Sequence, residues 1–461
     1  MIQEKSASSP LSDLLVALGN IPVETAANIV KQKSRDFFWY SPILKQQLEA
    51  CRGDAVATPR NEADILRIAA LCARYGVPLT VRGAGTGNYG QAVPLRGGLI
   101  LDMIALDAVG PVRDGIVRVG AGAKMRDIDD AARSQGWELR MFPSTIRTAT
   151  IGGFIAGGSG GVGSINHGML SQRGTILGLR VVTLEPEPRV IELRGEAINQ
   201  VHHAYGTNGI ITEIEMALTP ARIWVEVGAA FGDFMRLAEF CQVLGEADGI
   251  TKKLITAIAA PIPGRMRTLP FFVPPEASLG LMMIAAESIE PFRDLLAAHG
   301  GELIYSAGPA DAAAARATPI YEFTWNHTTL QMLKVDREIT YLQTGFPDDG
   351  GLALVAALCR EFAGEIFMHL EFVRVNGRVV CRGLPLVRYT TPERLAEIIE
   401  IFEARGSGVA NPHTYVLEDG GPRKQIDEKQ SAFKGMADPF GLLNPGKMRG
   451  APRPLPPYRA A

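Results

Sequence analysis

Two glycine-rich stretches in the first half of the chain carry residues suited to holding a phosphate group. The first is Arg82-Gly83-Ala84-Gly85-Thr86-Gly87-Asn88-Tyr89-Gly90; the second, GGFIAGGSGGVGSINHG, spans 152–168. A glycine loses more backbone freedom on folding than any other residue, and the return is a main chain that approaches a ligand closely. Two such stretches predict one large, phosphate-bearing ligand held by main-chain N–H groups. Residues 85–90 match GxGxxG, but dinucleotide binding of the Rossmann type needs a helix directly after the glycines. Here Gln91-Ala92-Val93-Pro94-Leu95-Arg96-Gly97-Gly98 follows, and Pro94 with the glycine pair argues against that helix. Neither stretch contains Gly-Lys-Ser/Thr, so a Walker A loop is excluded as well.

Other side chains with chemical potential lie in the second half. Along FMHLEFVRV, period-2 alternation puts His369, Glu371 and Val373 on one face, which is either turned to a ligand or is the solvent side of a sheet. Arg374 and Arg382 fall on the two arms of a hairpin around Asn376-Gly377; either can grip a carboxylate bidentately, although exposure is the commoner fate of an arginine. Tyr321-Glu322-Phe323-Thr324-Trp325-Asn326-His327 is unusually aromatic and polar, a pattern of a pocket wall or of plain packing. The five cysteines (51, 72, 241, 359, 381) are odd in number and form no CxxC, which points to neither a disulfide framework nor a thiolate metal site.

The elements that must position these residues follow from pattern. Asn61 and Asp64 open a helix whose apolar Ile65, Ile68, Ala69 and Cys72 have helical spacing, and Gly76 and Pro78 end it. Leu79-Thr80-Val81 then delivers the chain into the first glycine stretch. Strands are expected at 99–103, 116–122, 176–184 and 208–218, with an amphipathic helix at 125–135. Beyond Pro220, strand and helix signals alternate, giving an antiparallel sheet over 223–410 that includes the hairpin and a helix from Pro392 to Ala404. Residues 1–50 read as a helical arm, with helices at 11–18 and 24–33 and a loop at 35–42. The tail GAPRPLPPYRAA reads as extended. A net charge of −2, with 21% charged and 46% hydrophobic residues, gives no bulk attraction to nucleic acid. No apolar run reaches a membrane span and the polar N-terminus is unlike a signal peptide, so a cytoplasmic protein is expected.

The order of segments resembles the FAD-binding domain of the vanillyl-alcohol oxidase, or p-cresol methylhydroxylase, flavoprotein family. The matching pieces are 55–93, 98–103, 117–128, 142–168, 176–182 and 205–218, with DPFGLLNPGKM at 438–448 similar to the family's C-terminal return. The style is nearest the branch with glycolate oxidase subunits, D-lactate dehydrogenases and D-2-hydroxyglutarate dehydrogenases. The resemblance implies an α+β chain: a two-subdomain FAD-binding domain (51–222), an α+β cap with an antiparallel sheet (223–410) and a return segment (411–461). It implies that Arg82, Gly83, Ala84, Gly85, Thr86, Gly87, Asn88 and Gly90 wrap the FAD pyrophosphate. Pro143, Ser144, Thr145, Gly152, Gly153, Gly157, Ser159, Gly160 and Gly163 would line the pyrophosphate and flavin ring, with His167 toward the flavin. Gly209, Ile210 and Ile211 would meet the adenosine end, and Asn444 and Lys447 would approach from the return segment. Thr86 stands where some members carry a flavin-linked histidine and the second stretch has no cysteine, so non-covalent FAD is expected.

A flavin accepts hydride itself, leaving the protein to orient substrate and take a proton, for which histidine or tyrosine is the natural base. His413, in Asn411-Pro412-His413-Thr414-Tyr415, precedes DPFGLLNPGKM and is the first candidate, with Tyr415, His369 and Arg374 as the further ones. The branch's HxGxGNxH-like metal motif is missing, so no metal is expected. The expected activity is oxidation of a small 2-hydroxy acid. The alternatives are an aromatic alcohol as substrate, or a non-catalytic subunit of a larger complex. The electron acceptor and a homo-oligomeric state stay open.

Overall fold

The computed structural model describes residues 9–421 and 426–450; most of the Pro-rich tail lies outside the described residues. The first glycine stretch hangs from a small sheet with the strand order Val23–Glu24, Ala55–Ala57, Leu99–Asp102, Leu79–Arg82. The last three run parallel, and the helix Glu62–Tyr75 lies in the crossover. That helix begins and ends on the residues its sequence marks. The Asn61 side chain accepts from the Asp64 N–H, and Gly76 adopts φ 65. The helix Pro10–Leu18 packs on it, burying Leu14 and Leu18 in the same core. Glu24, expected to start a helix, instead pairs with Val56 in the sheet, and the helix starts at Ala27.

A second sheet pairs Ile116–Gly120, Ile210–Pro220, Ile176–Val182 and Val190–Arg194 in antiparallel order. The second glycine stretch differs from a simple loop: Ile151–Gly157 is helical, with Thr150 accepting from the Gly153 N–H, and Ser164–His167 forms a further turn. Glycine weakens a helix by about 1 kcal/mol per residue relative to alanine. At Gly152 that weakness is offset by approach, since a Cβ there would lie 2.8 Å from the Ala121 carbonyl oxygen.

The third sheet has eight strands in the order Glu302–Ala307, Trp224–Phe231, Ser278–Ala285, Lys252–Ile258, His369–Val375, Arg378–Gly383, Thr344–Gly345, Gly408–Val409. The hairpin turn is Asn376 (φ 50) and Gly377 (φ 82), the two positive φ values that a tight two-residue connection demands. A second apolar core fills the space between this sheet and helices Phe234–Glu246, Gly351–Glu361 and Pro392–Ala404.

Candidate functional site

Both glycine stretches and the near end of the eight-stranded sheet line one cavity of about 660 Å³. From the first stretch come residues 82–89, and from the second Gly152, Gly153, Gly157, Ser159 and Gly160. Pro143, Ser144, Thr145, Gly209 and Ile211 complete this end. The glycines are needed for space. A Cβ on Gly83 would overlap the Thr150 hydroxyl, one on Gly85 the Arg82 guanidinium, and one on Gly87 the Gln91 amide. The buried Arg82 Nε and Tyr205 hydroxyl, on residues lining this end, have no hydrogen-bond partner among the described residues. Cradle and orphaned donors together fit an extended phosphate-bearing cofactor such as FAD.

Six of the residues expected at the cofactor do not line the cavity. Ile210 points to the opposite face of its strand from Gly209 and Ile211. Gly163 donates its N–H to the Lys253 carbonyl at 2.8 Å, and His167 lies beside Arg140 and Lys253, where burial pushes its ring down to about 4. Asn444 and Lys447 support the stretches from behind. Asn444 Nδ2 donates to the carbonyls of Gln91 (2.8 Å) and Tyr205 (2.6 Å). Lys447 Nζ donates to the Gly90 carbonyl at 2.5 Å, which also turns Gly90 away from the cavity. Burial pushes the Lys447 ammonium down and the nearby Asp36 carboxyl up, each restrained by the other's charge.

The four expected catalytic residues are likewise engaged outside the cavity. His413 is buried, with Nδ1 2.8 Å from Ser41 Oγ and Nε2 2.8 Å from the Tyr341 carbonyl oxygen, so it ties distant segments together. Tyr415 carries the Lys447 ammonium 5.1 Å above its ring. Arg374 donates to the carbonyls of Ile165, Gly377 and Gly245. His369 is fully buried, with Nε2 2.9 Å from Glu371 Oε1. Glu371 also accepts from Thr256 Oγ1 and from the Trp325 N–H, each at 2.6 Å. The face carrying His369 and Glu371 is therefore interior, and its carboxylate anchors Trp325 at φ 51, a conformation L-residues rarely adopt.

That anchor leads to the groups the cavity does contain. Trp325, Asn326, His327 and Leu330 line it from one side, and Gln343, Thr344, Arg382 and Leu384 from the sheet. The Thr344 hydroxyl and the Trp325 indole N–H are buried without a partner among the described residues. His327 opens the helix His327–Leu333 and is hydrogen-bonded to the Glu322 backbone; burial pushes its ring down to about 4, against that bond. Arg382 sits opposite Glu371 on the paired strand. Asp36, Phe37 and Tyr40, from the segment expected to be a plain loop, also line the cavity. The run of aromatics at 37–40 was the signal that could have found them.

The class defined by fold and cavity is an FAD-binding domain joined to an antiparallel-sheet domain. Residues 53–193 match the FAD binding domain family. Among curated proteins, the glycolate oxidase subunit GlcD of Bacillus subtilis is 31% identical over 178 residues, covering 36% of this chain and 37% of that protein. The D-lactate dehydrogenase of Archaeoglobus fulgidus is 30% identical over 181 residues (37% and 40%), and the D-2-hydroxyglutarate dehydrogenase of Escherichia coli 34% over 169 (33% and 16%). The match thus spans about two fifths or less of these relatives. A solved alkyldihydroxyacetonephosphate synthase shares the fold, with a TM-score of 0.70 over 92% of this chain and 82% of that one at 16% identity. Among the described residues no cluster of His, Cys, Asp or Glu is arranged to hold a metal ion, and no helix is long and apolar enough to cross a membrane.

Proposed function

We propose that this chain is an FAD-dependent oxidoreductase that oxidises a 2-hydroxy acid to the 2-oxo acid. The observation that carries the reading is that His327 and Arg382 both line the cavity that the two glycine stretches line. Bound FAD supplies the acceptor for the electron pair of the substrate's carbinol C–H, taken as hydride. His327 takes the hydroxyl proton as the C=O bond forms. Its bond to the Glu322 backbone occupies one ring nitrogen and leaves the other as an acceptor in the neutral ring. The Arg382 guanidinium, with several donors in a planar fork, holds the substrate carboxylate. The names of the curated relatives, whose substrates are 2-hydroxy acids, support the same chemistry.

The test is anaerobic mixing of the purified holoprotein with D- and L-2-hydroxy acids while the flavin absorbance is followed. Bleaching is expected with at least one acid. His327→Gln should slow it by about 10²–10⁴-fold, the usual contribution of a positioned base. A holoprotein whose flavin no 2-hydroxy acid reduces would refute the reading.

A further inference from the structure

We infer that the acid accepted by this site carries an aromatic group next to its carbinol carbon or one carbon further out, seated against Phe37 and Tyr40. The inference rests on the 2-hydroxy-acid reading and names which members of that class fit.

The segment bearing these rings is fastened to the first glycine stretch. Arg82 donates to the carbonyls of Lys33 (3.1 Å) and Arg35 (2.5 Å), and the Phe37 N–H donates to the Gly87 carbonyl at 2.7 Å. The Asp36 carboxylate accepts from the N–H groups of Phe38 (3.0 Å) and Ala92 (3.3 Å). Held this way, Phe37 and Tyr40 stand edge-on to each other with centroids 6.0 Å apart, and Tyr40 meets Tyr341 edge-on at 6.3 Å. Burial pushes the Tyr40 phenol far above its ordinary range, so the ring stays neutral and acts as an apolar wall.

The adjoining wall is the helix His327–Leu333, which packs against the Phe38–Tyr40 turn. Leu330 lies one turn beyond His327 and shares its face, so the proposed base and an apolar side chain border the same space. The residues lining this part of the cavity thus include a guanidinium, an imidazole, the amides of Asn326 and Gln343, and a surround of rings and leucines. Glycolate or lactate would engage the polar groups and leave the half-buried Phe37 and Leu330 uncovered on the cavity side, with the buried Tyr40 ring backing Phe37. A phenyl group would cover them and gain edge-to-face contacts, each worth about three- to tenfold in affinity.

The experiment uses the full-length holoprotein under anaerobic conditions. Flavin reduction is measured with both enantiomers of lactate, 2-hydroxy-4-methylpentanoate, mandelate and 3-phenyllactate. Binding of the unreactive acids acetate and phenylacetate is measured from perturbation of the flavin spectrum. An aromatic acid should exceed lactate by roughly thirtyfold or more in reduction rate over half-saturation, and phenylacetate should bind more tightly than acetate. Phe37→Leu, which keeps apolar bulk and loses the ring, should cut the advantage of the aromatic acid over 2-hydroxy-4-methylpentanoate about three- to tenfold with FAD content unchanged. Lactate or the aliphatic acid performing as well as the aromatic ones would overturn the inference while leaving the hydroxy-acid reading intact. So would a Phe37→Leu protein that loses FAD but keeps its acid preference. Failure of every hydroxy acid to bleach the flavin would overturn the parent reading, and this inference with it.

Discussion

Removing the Glu371 carboxylate should disable the site from behind. Glu371 is 1% exposed and accepts from Thr256 Oγ1 at 2.6 Å, the Trp325 N–H at 2.6 Å and His369 Nε2 at 2.9 Å. In Glu371→Ala those groups lose their acceptor in an interior that water does not reach. Orphaning a buried donor costs about 1–3 kcal/mol. With three groups orphaned and some relaxation around the vacated volume, a total of about 3–5 kcal/mol is expected. Trp325 sits at φ 51, a conformation that itself costs about 1–3 kcal/mol and persists only while its surroundings impose it. Without the anchor, residues 325–327 should relax and carry His327 away from its place. A displacement of about 1 Å is enough to slow a reaction by about 10²-fold. Glu371→Gln is the control: its amide oxygen keeps the bonds from Trp325 and His369, and its NH₂ can donate to Thr256. Thermal unfolding of the holoprotein and single-turnover flavin reduction should separate the two variants, with the glutamine form within about threefold of the parent rate. An alanine variant that melts and reacts like the parent would refute the anchor.

Four further outcomes follow from the site. His413→Ala should lower stability by about 1–3 kcal/mol, measured by denaturant unfolding, and leave flavin reduction near the parent rate, because both ring nitrogens face protein groups outside the cavity. Gly83→Ala should reduce retention of FAD on gel filtration by about tenfold or more without changing far-UV circular dichroism, since its Cβ displaces the Thr150 hydroxyl. The reduction rate should stay level as pH falls from neutrality to about 5 and decline with a midpoint near 4. The sign follows from the role: a base works only deprotonated, and burial holds the His327 ring neutral below its ordinary range. Acid precipitation should release the FAD into the supernatant, because Thr86 offers no ring nitrogen for a covalent link; yellow colour staying with the pellet would contradict this.

What was legible in the sequence was local. The helix Glu62–Tyr75 announces itself through Asn61 and Gly76, and the hairpin through Asn376-Gly377, because caps and tight turns are decided by neighbours in the chain. The cofactor stretches were legible because dense glycine has few other uses. The substrate end was not, because partners far apart in sequence decide it. His413 looked available until Ser41, 372 residues away, came to bond it. The pair His369 and Glu371 had the correct alternation, but whether a strand face meets ligand or core depends on what packs over it, here Thr256 and Trp325. His327 stands in the sequence only as part of an aromatic run, and the rings at 37–40 read as a loop because the segment is held through the backbone carbonyls of Lys33, Arg35 and Gly87, which leave no trace in residue type.

The eight-stranded sheet has unequal halves. Trp224–Phe231 and Ser278–Ala285 pair along their whole length, whereas Thr344–Gly345 contributes only two residues to each neighbour. The cavity residues Val375, Arg382, Gly383 and Thr344 lie on three successive strands toward the short-stranded end, and Ala410 directly follows the last strand. Directed evolution for new substrates has a natural address in Gln343, Leu384 and Ala410, which line the cavity while the long strands carry the scaffold.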